Sequence, residues 1–439
     1  MADLKKFSVG EVCSCGRVHT SSVKGVRVGR GEIERLPELI GEIGARRPFV
    51  ISDENTHRAA GERVCAVLSA SGIEFKNFVF KSGVTPGEAA VGSAVMHFDN
   101  DADLIITVGS GTLNDISKIL SKITGLEYII VATAPSMDGY ASASSSMVMD
   151  GLKVSLPSRC PDYIIGDISV LCSAPKRMLT SGLGDMLAKY VSIAEWRISN
   201  IITGEYYCEN IAQLVRGALC ACTDNAEGLL RGEEESVRAV FEGLVICGSA
   251  MEYAGLSRPA SGVEHYISHV WDMRGEEQGT PTDTHGIQCA IGTLISARLY
   301  ENLLKCVPVR EKAIKAVEDF SFEEWCAQLR AFLKSSAEPM ILAEKKDRKY
   351  DPTLHKRRLE IIIENWQKIC DIVREEIPSG EEIINILRKI DCPTSPEQIG
   401  IDPAILPLTL KATKDIRDKY VLSRLAFDLG VLDELAESI

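Results

Sequence analysis

Residues 104–115 read LIITVGSGTLND. Five apolar or β-branched residues, Leu104 to Val108, run without alternation and stop at Gly109-Ser110-Gly111. A continuous apolar run of that length, closed by glycines, reads as a strand buried on both faces. The residues after Gly111 have helical spacing. A strand, a glycine turn and a helix are the start of a parallel α/β unit. Glycines there let backbone N–H groups approach a phosphate, and the helix N-terminus adds a favourable dipole. The turn is not a full GxGxxG, because Asn114 occupies the last position.

The same grammar recurs on either side. Arg47–Ser52 (RPFVIS) is a strand ending in Asp53, followed by an expected helix over Glu54–Ser71. Phe75–Phe80 is a second strand, Pro86 opens a helix running towards Phe98, and Tyr128–Ala132 is a further strand. Residues 145–170 differ: two alternating runs flank Asp150-Gly151, a hairpin signal. After Pro175 the chain is rich in Ala, Leu, Glu and Arg at helical spacing. The expected architecture is an α/β, parallel-sheet, Rossmann-like domain over 1–172, binding a dinucleotide. An all-helical domain over 173–439 is expected to bind metal and substrate.

Bulk composition narrows the function classes. The chain has 439 residues, 45% of them hydrophobic and 25% charged, with a formal net charge of −13. That balance suits a globular enzyme and argues against nucleic acid as a partner, which needs a dense basic face. The first residues, MADLKKFSVGEVCSCG, lack an apolar leader, and no apolar run approaches the roughly 20 residues of a membrane span. Membrane insertion is therefore not expected. Fourteen scattered cysteines without a leader read as thiols in a reducing cytoplasm. One local group, Cys13-Ser-Cys15-Gly-Arg-Val-His19, offers three metal-ligand types without a second ligand pair at zinc-finger spacing. It reads first as an N-terminal arm with two free thiols.

Four other segments carry chemistry. At the end of a strand, Thr133-Ala-Pro-Ser136-Met-Asp138-Gly-Tyr-Ala-Ser142 places hydroxyls around an aspartate, where open α/β sheets bind ligands. Ser181-Gly-Leu-Gly-Asp185 reads as a break leading into a helix, with Asp185 in its first turn. His265 and His269 stand four apart on one helix face, and His285 follows in Thr-His-Gly. One aspartate and two histidines suit a divalent Lewis acid. Asp53 precedes Gly109 by 56 residues (109 − 53), whereas an ordinary Rossmann half has its acid after the glycine turn.

The ordered segments GSGTLNDISK, TAPSMDGYAS, GLGDMLAKY, SRPASGVEHYISH and THG resemble the sn-glycerol-1-phosphate dehydrogenase family. That family lies within the iron-alcohol-dehydrogenase and dehydroquinate-synthase-like superfamily. The match runs from Asp53 to Gly286, and KDIRDKYVLSRLAFDLG near the C-terminus is similar to the bacterial, arabinose-operon-associated type. The resemblance implies Asp185, His265 and His285 as ligands of one divalent metal, zinc or nickel. It implies His269, Asp138 and Asp185 as substrate contacts. Asp53, Gly109, Ser110, Gly111, Thr112, Asn114, Asp115, Thr133, Ser136 and Ser142 are implied as contacts to NAD(H) or NADP(H), with Asp53 favouring NADH. The implied reaction reduces a phosphorylated triose, dihydroxyacetone phosphate, to sn-glycerol 1-phosphate; His269 is placed in a proton relay, and a homodimer is common in the type. Arg258 lies seven before His265, where dehydroquinate synthases carry an arginine for phosphate, although Gly262 replaces their asparagine. It is the expected phosphate ligand. The rivals are a glycerol dehydrogenase acting on an unphosphorylated polyol, dehydroquinate-synthase-like cyclisation, and an inactive binding protein of the same fold.

Overall fold

The computed structural model describes residues 11–149 and 152–439. The first ten residues and the expected turn at Asp150-Gly151 lie outside the described residues. The chain forms two compact units: residues 1–186 with 213–256, and residues 187–212 with 257–439. The strand-rich stretch ends at Asp167, but the first unit also takes in most of the helix Lys176–Leu187 and all of Glu234–Ala254.

In the first unit the strands are β1 Gly25–Gly29, β2 Pro48–Asp53, β3 Lys76–Phe80, β4 Leu104–Gly109, β5 Glu127–Ala132, β6 Ser144–Met149, β7 Leu152–Pro157 and β8 Tyr163–Asp167. Six of them form one sheet in the order β1-β8-β5-β4-β2-β3, parallel throughout. The unbroken apolar runs follow from burial on both faces. Val50, Ile106, Val108, Ile129 and Val131 pack with Leu36, Leu39, Ile40, Val64 and Leu68 from the helices Leu36–Ile43 and Glu62–Ala70. Alternate residues Phe49, Ile51, Ile105 and Ile130 are equally buried, and the helix Gly111–Thr124 packs against β4, β5 and β2. The strands β6 and β7 pair antiparallel, Ser144 opposite Pro157, as the hairpin signal predicts.

The order β3-β2-β4-β5-β8 is the doubly wound pattern 2-1-3-4-5, with the wind reversing between β2 and β4. A crevice at the carboxyl ends of the sheet opens where such a reversal occurs. Asp53 ends β2 and Gly109 ends β4. The acid and the glycine turn therefore flank the same switch point, which explains why the acid comes first in the chain. The expected helix over Glu54–Ser71 is present with one adjustment: His57–Gly61 winds as a π-helical turn between Glu54–Thr56 and Glu62–Ala70.

The second unit is helical. Its centre is formed by Lys189–Thr203, Val263–Gln278 and His285–Leu303, with Trp196, Trp271, Tyr266 and Tyr300 fully buried. Gly292 lets two of these helices meet closely: a Cβ there would stand 2.6 Å from the Glu264 carbonyl oxygen. No helix among the described residues is long and apolar enough to cross a membrane.

Candidate active site

The phosphate-type turn is built by packing as well as by backbone freedom. A Cβ on Gly109 would lie 2.6 Å from Leu113 Cδ1, so only glycine lets the helix Gly111–Thr124 start directly off β4. Ser110 is its N-cap position, and the first amides of a helix have no partner within it. Asp53 is itself an N-cap. Its Oδ1 accepts the N–H groups of Asn55 and Thr56, both at 2.8 Å, and its own N–H donates to Thr56 Oγ1 at 3.0 Å.

Asn114 sits deeper than its place in the motif suggests. It is fully buried, donates to the Gly139 carbonyl at 3.1 Å and accepts from the Tyr128 hydroxyl at 2.8 Å. It holds the 138–144 loop to the helix. Lys118, which the sequence reading passed over, does the same: its buried Nζ donates to the Gly139 carbonyl, to Ser142 Oγ at 3.0 Å and to the Ser144 carbonyl at 3.1 Å. Asp115 ties down the hairpin by accepting the Ser146 N–H at 3.2 Å. Thr112 is half-buried. Thr133 donates its N–H to the Gly109 carbonyl at 3.1 Å, and the Ser136 carbonyl accepts Ser181 Oγ at 3.0 Å. Thr133, Ser136 and Ser142 are all buried.

Asp185 is not in the first turn of a helix. Gly-Leu-Gly lies inside the helix Lys176–Leu187, and Asp185 is near its C-terminal end. The glycine serves close approach: a Cβ on Gly182 would lie 1.8 Å from the Pro135 carbonyl oxygen. That contact seats the helix on the Thr133–Ser142 loop. There the fully buried Asp185 accepts the Asp138 N–H through Oδ2 at 2.9 Å. A low-propensity residue persists in the helix because nothing larger fits.

In the second unit, His265 and His269 share a face of Val263–Gln278, with ring centroids 6.5 Å apart. His285 opens the next helix, 5.1 Å from His265 and 6.0 Å from His269 by ring centroid. Ligand atoms of His265, His285 and Cys289 lie within 4.8 Å of one another. His265 Nδ1 meets Glu264 Oε1 at 2.8 Å. A carboxylate oxygen accepts, so Nδ1 carries the proton and Nε2 the lone pair, the state a metal-binding imidazole needs. Glu264 Oε1 also accepts the Gly262 N–H at 2.6 Å. Asp272 accepts from Thr282 Oγ1 at 2.9 Å and Gln288 Nε2 at 2.8 Å, clamping the loop that delivers His285. Burial raises the Cys289 thiol pKa, but the neighbouring His265 and His285 outweigh it and leave it below its usual value. Glu264, Asp272, Gln288 and Cys289 were missed from sequence. Only the i+4 recurrence of Cys289 after His285 carried a signal for any of them.

Arg258, the expected phosphate ligand, is engaged by partners within the helical unit. Its side chain is 1% exposed. It donates from Nε and Nη2 to Glu205, from Nη2 to Ser199 Oγ at 3.1 Å, and from Nη1 to the Tyr420 carbonyl at 2.9 Å. The seven-residue offset from His265 is met, but the guanidinium is a buried tie between segments of the helical unit. Gly262 also has a local cause. A Cβ there would meet Glu195 Oε2 at 2.5 Å and Glu264 Oε2 at 2.8 Å, so two carboxylates occupy the space a side chain would need.

Comparison with known proteins identifies relatives of this chain. Residues 27–175 match the family model described as iron-containing alcohol dehydrogenase. The chain is 31% identical over 320 residues to a glycerol-1-phosphate dehydrogenase [NAD(P)+] of Halalkalibacterium halodurans, covering 72% of this chain and 78% of that one. To the enzyme of the same name from Geobacillus thermodenitrificans it is 28% identical, covering 93% of each. Among solved structures, glycerol dehydrogenase from Schizosaccharomyces pombe shares the fold with a TM-score of 0.61 at 18% identity, covering 96% of this chain and 91% of that one.

Proposed function

This chain belongs to the glycerol-1-phosphate dehydrogenase family, and on that premise we propose that it reduces dihydroxyacetone phosphate to sn-glycerol 1-phosphate. It is a metal-dependent oxidoreductase using NAD(H) or NADP(H). The observation that carries the reading is the close His265–His285 pair, with the His265 lone pair set for a metal, in a chain whose acid and glycine turn flank the sheet's switch point.

Asp185, His265 and His285 are the proposed ligands of one divalent ion. Two imidazoles and a carboxylate suit borderline metals, and zinc and nickel both fit that donor set. When bound, the metal supplies Lewis acidity to the C2 carbonyl and the nicotinamide supplies hydride. The remaining work belongs to the chain's own side chains. Asp53 accepts the adenosine ribose hydroxyls, and its charge disfavours a 2′-phosphate. Amides at Gly109, Ser110 and Gly111 take the pyrophosphate, and Thr112, Asp115, Thr133, Ser136 and Ser142 line the cofactor's path. Asn114 supports that path from beneath. Asp138 holds a substrate hydroxyl and so selects the face that is reduced, while His269 passes a proton to the product oxygen. A cytoplasmic location is supported by fourteen thiols with no disulfide among the described residues. A homodimer is the assembly common in the bacterial type.

The test is oxidation of NADH and NADPH with dihydroxyacetone phosphate beside dihydroxyacetone, using metal-stripped enzyme reloaded with zinc or nickel, and chiral analysis of the product. Metal-dependent turnover of the phosphorylated ketone to the sn-1 product is expected. Turnover of only the unphosphorylated ketone would make the protein a glycerol dehydrogenase.

A further inference from the structure

We propose that Cys13, Cys15 and His19 form a second metal site, taking a zinc-type divalent ion that fastens the N-terminal arm. This site stands apart from the reading above and does not depend on it. Three observations carry it.

The first is local geometry. The Cys13 N–H donates to the Arg17 carbonyl at 2.9 Å, the Gly16 N–H donates to the Cys13 carbonyl at 2.8 Å, and Val12 bridges Val18 antiparallel. Gly16 sits at φ +83° with open space where a Cβ would be, so it is needed for the turn alone. The turn brings one ligand atom from each of Cys13, Cys15 and His19 within 4.8 Å of the others. Tetrahedral zinc with thiolates at about 2.3 Å and imidazole at about 2.0 Å sets S–S edges near ~3.8 Å and S–N edges near ~3.5 Å. The Cys15 Sγ to His19 Nε2 separation is 3.3 Å. Three ligands are therefore gathered close to the spacing an ion needs, with one tetrahedral position left for a further donor.

The second is the histidine's tautomer. His19 is 2% exposed, and its Nδ1 lies 2.9 Å from the Tyr253 carbonyl oxygen. A carbonyl only accepts, so Nδ1 holds the proton and the Nε2 lone pair faces the Cys15 thiol. A metal-binding imidazole is typically fixed in this way from behind.

The third is what the arm lacks. His19 is the only buried residue over 11–22, and Val12 and Val18 are 71% and 47% exposed. Ser21 and Ser22 tie the next residues to Glu252, but the Cys13–Val18 turn has no apolar core. Small segments without a core are commonly held by a metal, whose binding energy then counts towards folding.

The experiment uses the full-length protein, purified under reductant without chelator, with metal content measured per chain and cobalt(II) exchanged for zinc. Thiolate-bound cobalt gives an intense near-ultraviolet charge-transfer band. The Cys13→Ser/Cys15→Ser variant is expected to lose one ion per chain and that band while keeping its turnover. The His265→Ala/His285→Ala variant is expected to keep the band, and so is Cys289→Ala. The conservative Cys15→His variant is expected to retain the ion with a weakened band, which guards against a merely misfolded double variant. Unchanged metal content in Cys13→Ser/Cys15→Ser would overturn the proposal. So would a metal-free wild type in which Cys13 and Cys15 have oxidised to a disulfide.

Discussion

Glu264 is the side chain whose loss should most clearly expose the metal centre. Its Oε1 accepts His265 Nδ1–H at 2.8 Å and the Gly262 N–H at 2.6 Å, and it is wholly buried. Glu264→Ala leaves His265 free to rotate and to change tautomer, and it removes a negative charge that raises imidazole basicity. Losing such a partner costs about 10- to 100-fold in metal affinity, or about 1.4–2.7 kcal/mol. The Gly262 N–H is orphaned as well, at about 1–3 kcal/mol of stability. Part of that is offset, because Glu195 no longer faces a second carboxylate. Glu264→Gln keeps a carbonyl oxygen for both N–H groups and should lose less than about tenfold in affinity. The assay is competition for zinc or nickel against a chromophoric chelator at fixed pH, with turnover measured after reloading. Glu264→Ala binding metal as tightly as the wild type would refute the reasoning, as would Glu264→Gln binding more weakly than Glu264→Ala.

Gly182→Ala should destabilise the first unit by about 1–3 kcal/mol or more and lower turnover. Its Cβ would fall 1.8 Å from the backbone oxygen of Pro135, and neither side can yield without moving Asp185. The control is Gly217→Ala, with nothing within 4 Å of its Cβ, which should be neutral or stabilising by up to about 1 kcal/mol; equal drops in melting temperature would remove the steric argument. Burial, and then the nearby Glu264, push the Glu195 carboxyl up to about 8. The folded protein therefore holds this proton more tightly than the unfolded chain does, and stability should fall as pH rises from about 4.5 to about 8. Melting temperatures across that range should decline less steeply in Glu195→Gln than in the wild type; parallel slopes would exclude Glu195 as the titrating group.

Much of the α/β unit was legible because burial is written into local periodicity. Leu104–Val108 and Tyr128–Ala132 have unbroken apolar runs because helices cover both sides of their sheet, and both are strands. The edge strand β1 escaped notice, since GVRVG is short, half-buried and polar at its centre. So did β8, whose run is interrupted by Gly166, a residue required because a Cβ would strike Phe241 at 2.3 Å. The glycine pair before Asp185 was misread for a related reason. Propensity treats glycine as a helix breaker, whereas Pro135 from another segment sets the requirement.

The sequence by itself determined the residue types and the elements that carry them: the glycine turn after β4, the acid after β2, and two histidines one helical turn apart. Those features depend only on spacing along the chain. Tertiary structure alone decided which of them meet. It placed Asp53 and Gly109 on either side of one reversal in strand order, backed His265 with Glu264, and enclosed Arg258 with Glu205 and Tyr420. Arg258 shows the physical reason. Its offset from His265 is a local property, but whether its guanidinium meets a ligand or a buried carboxylate depends on segments more than fifty residues away in either direction.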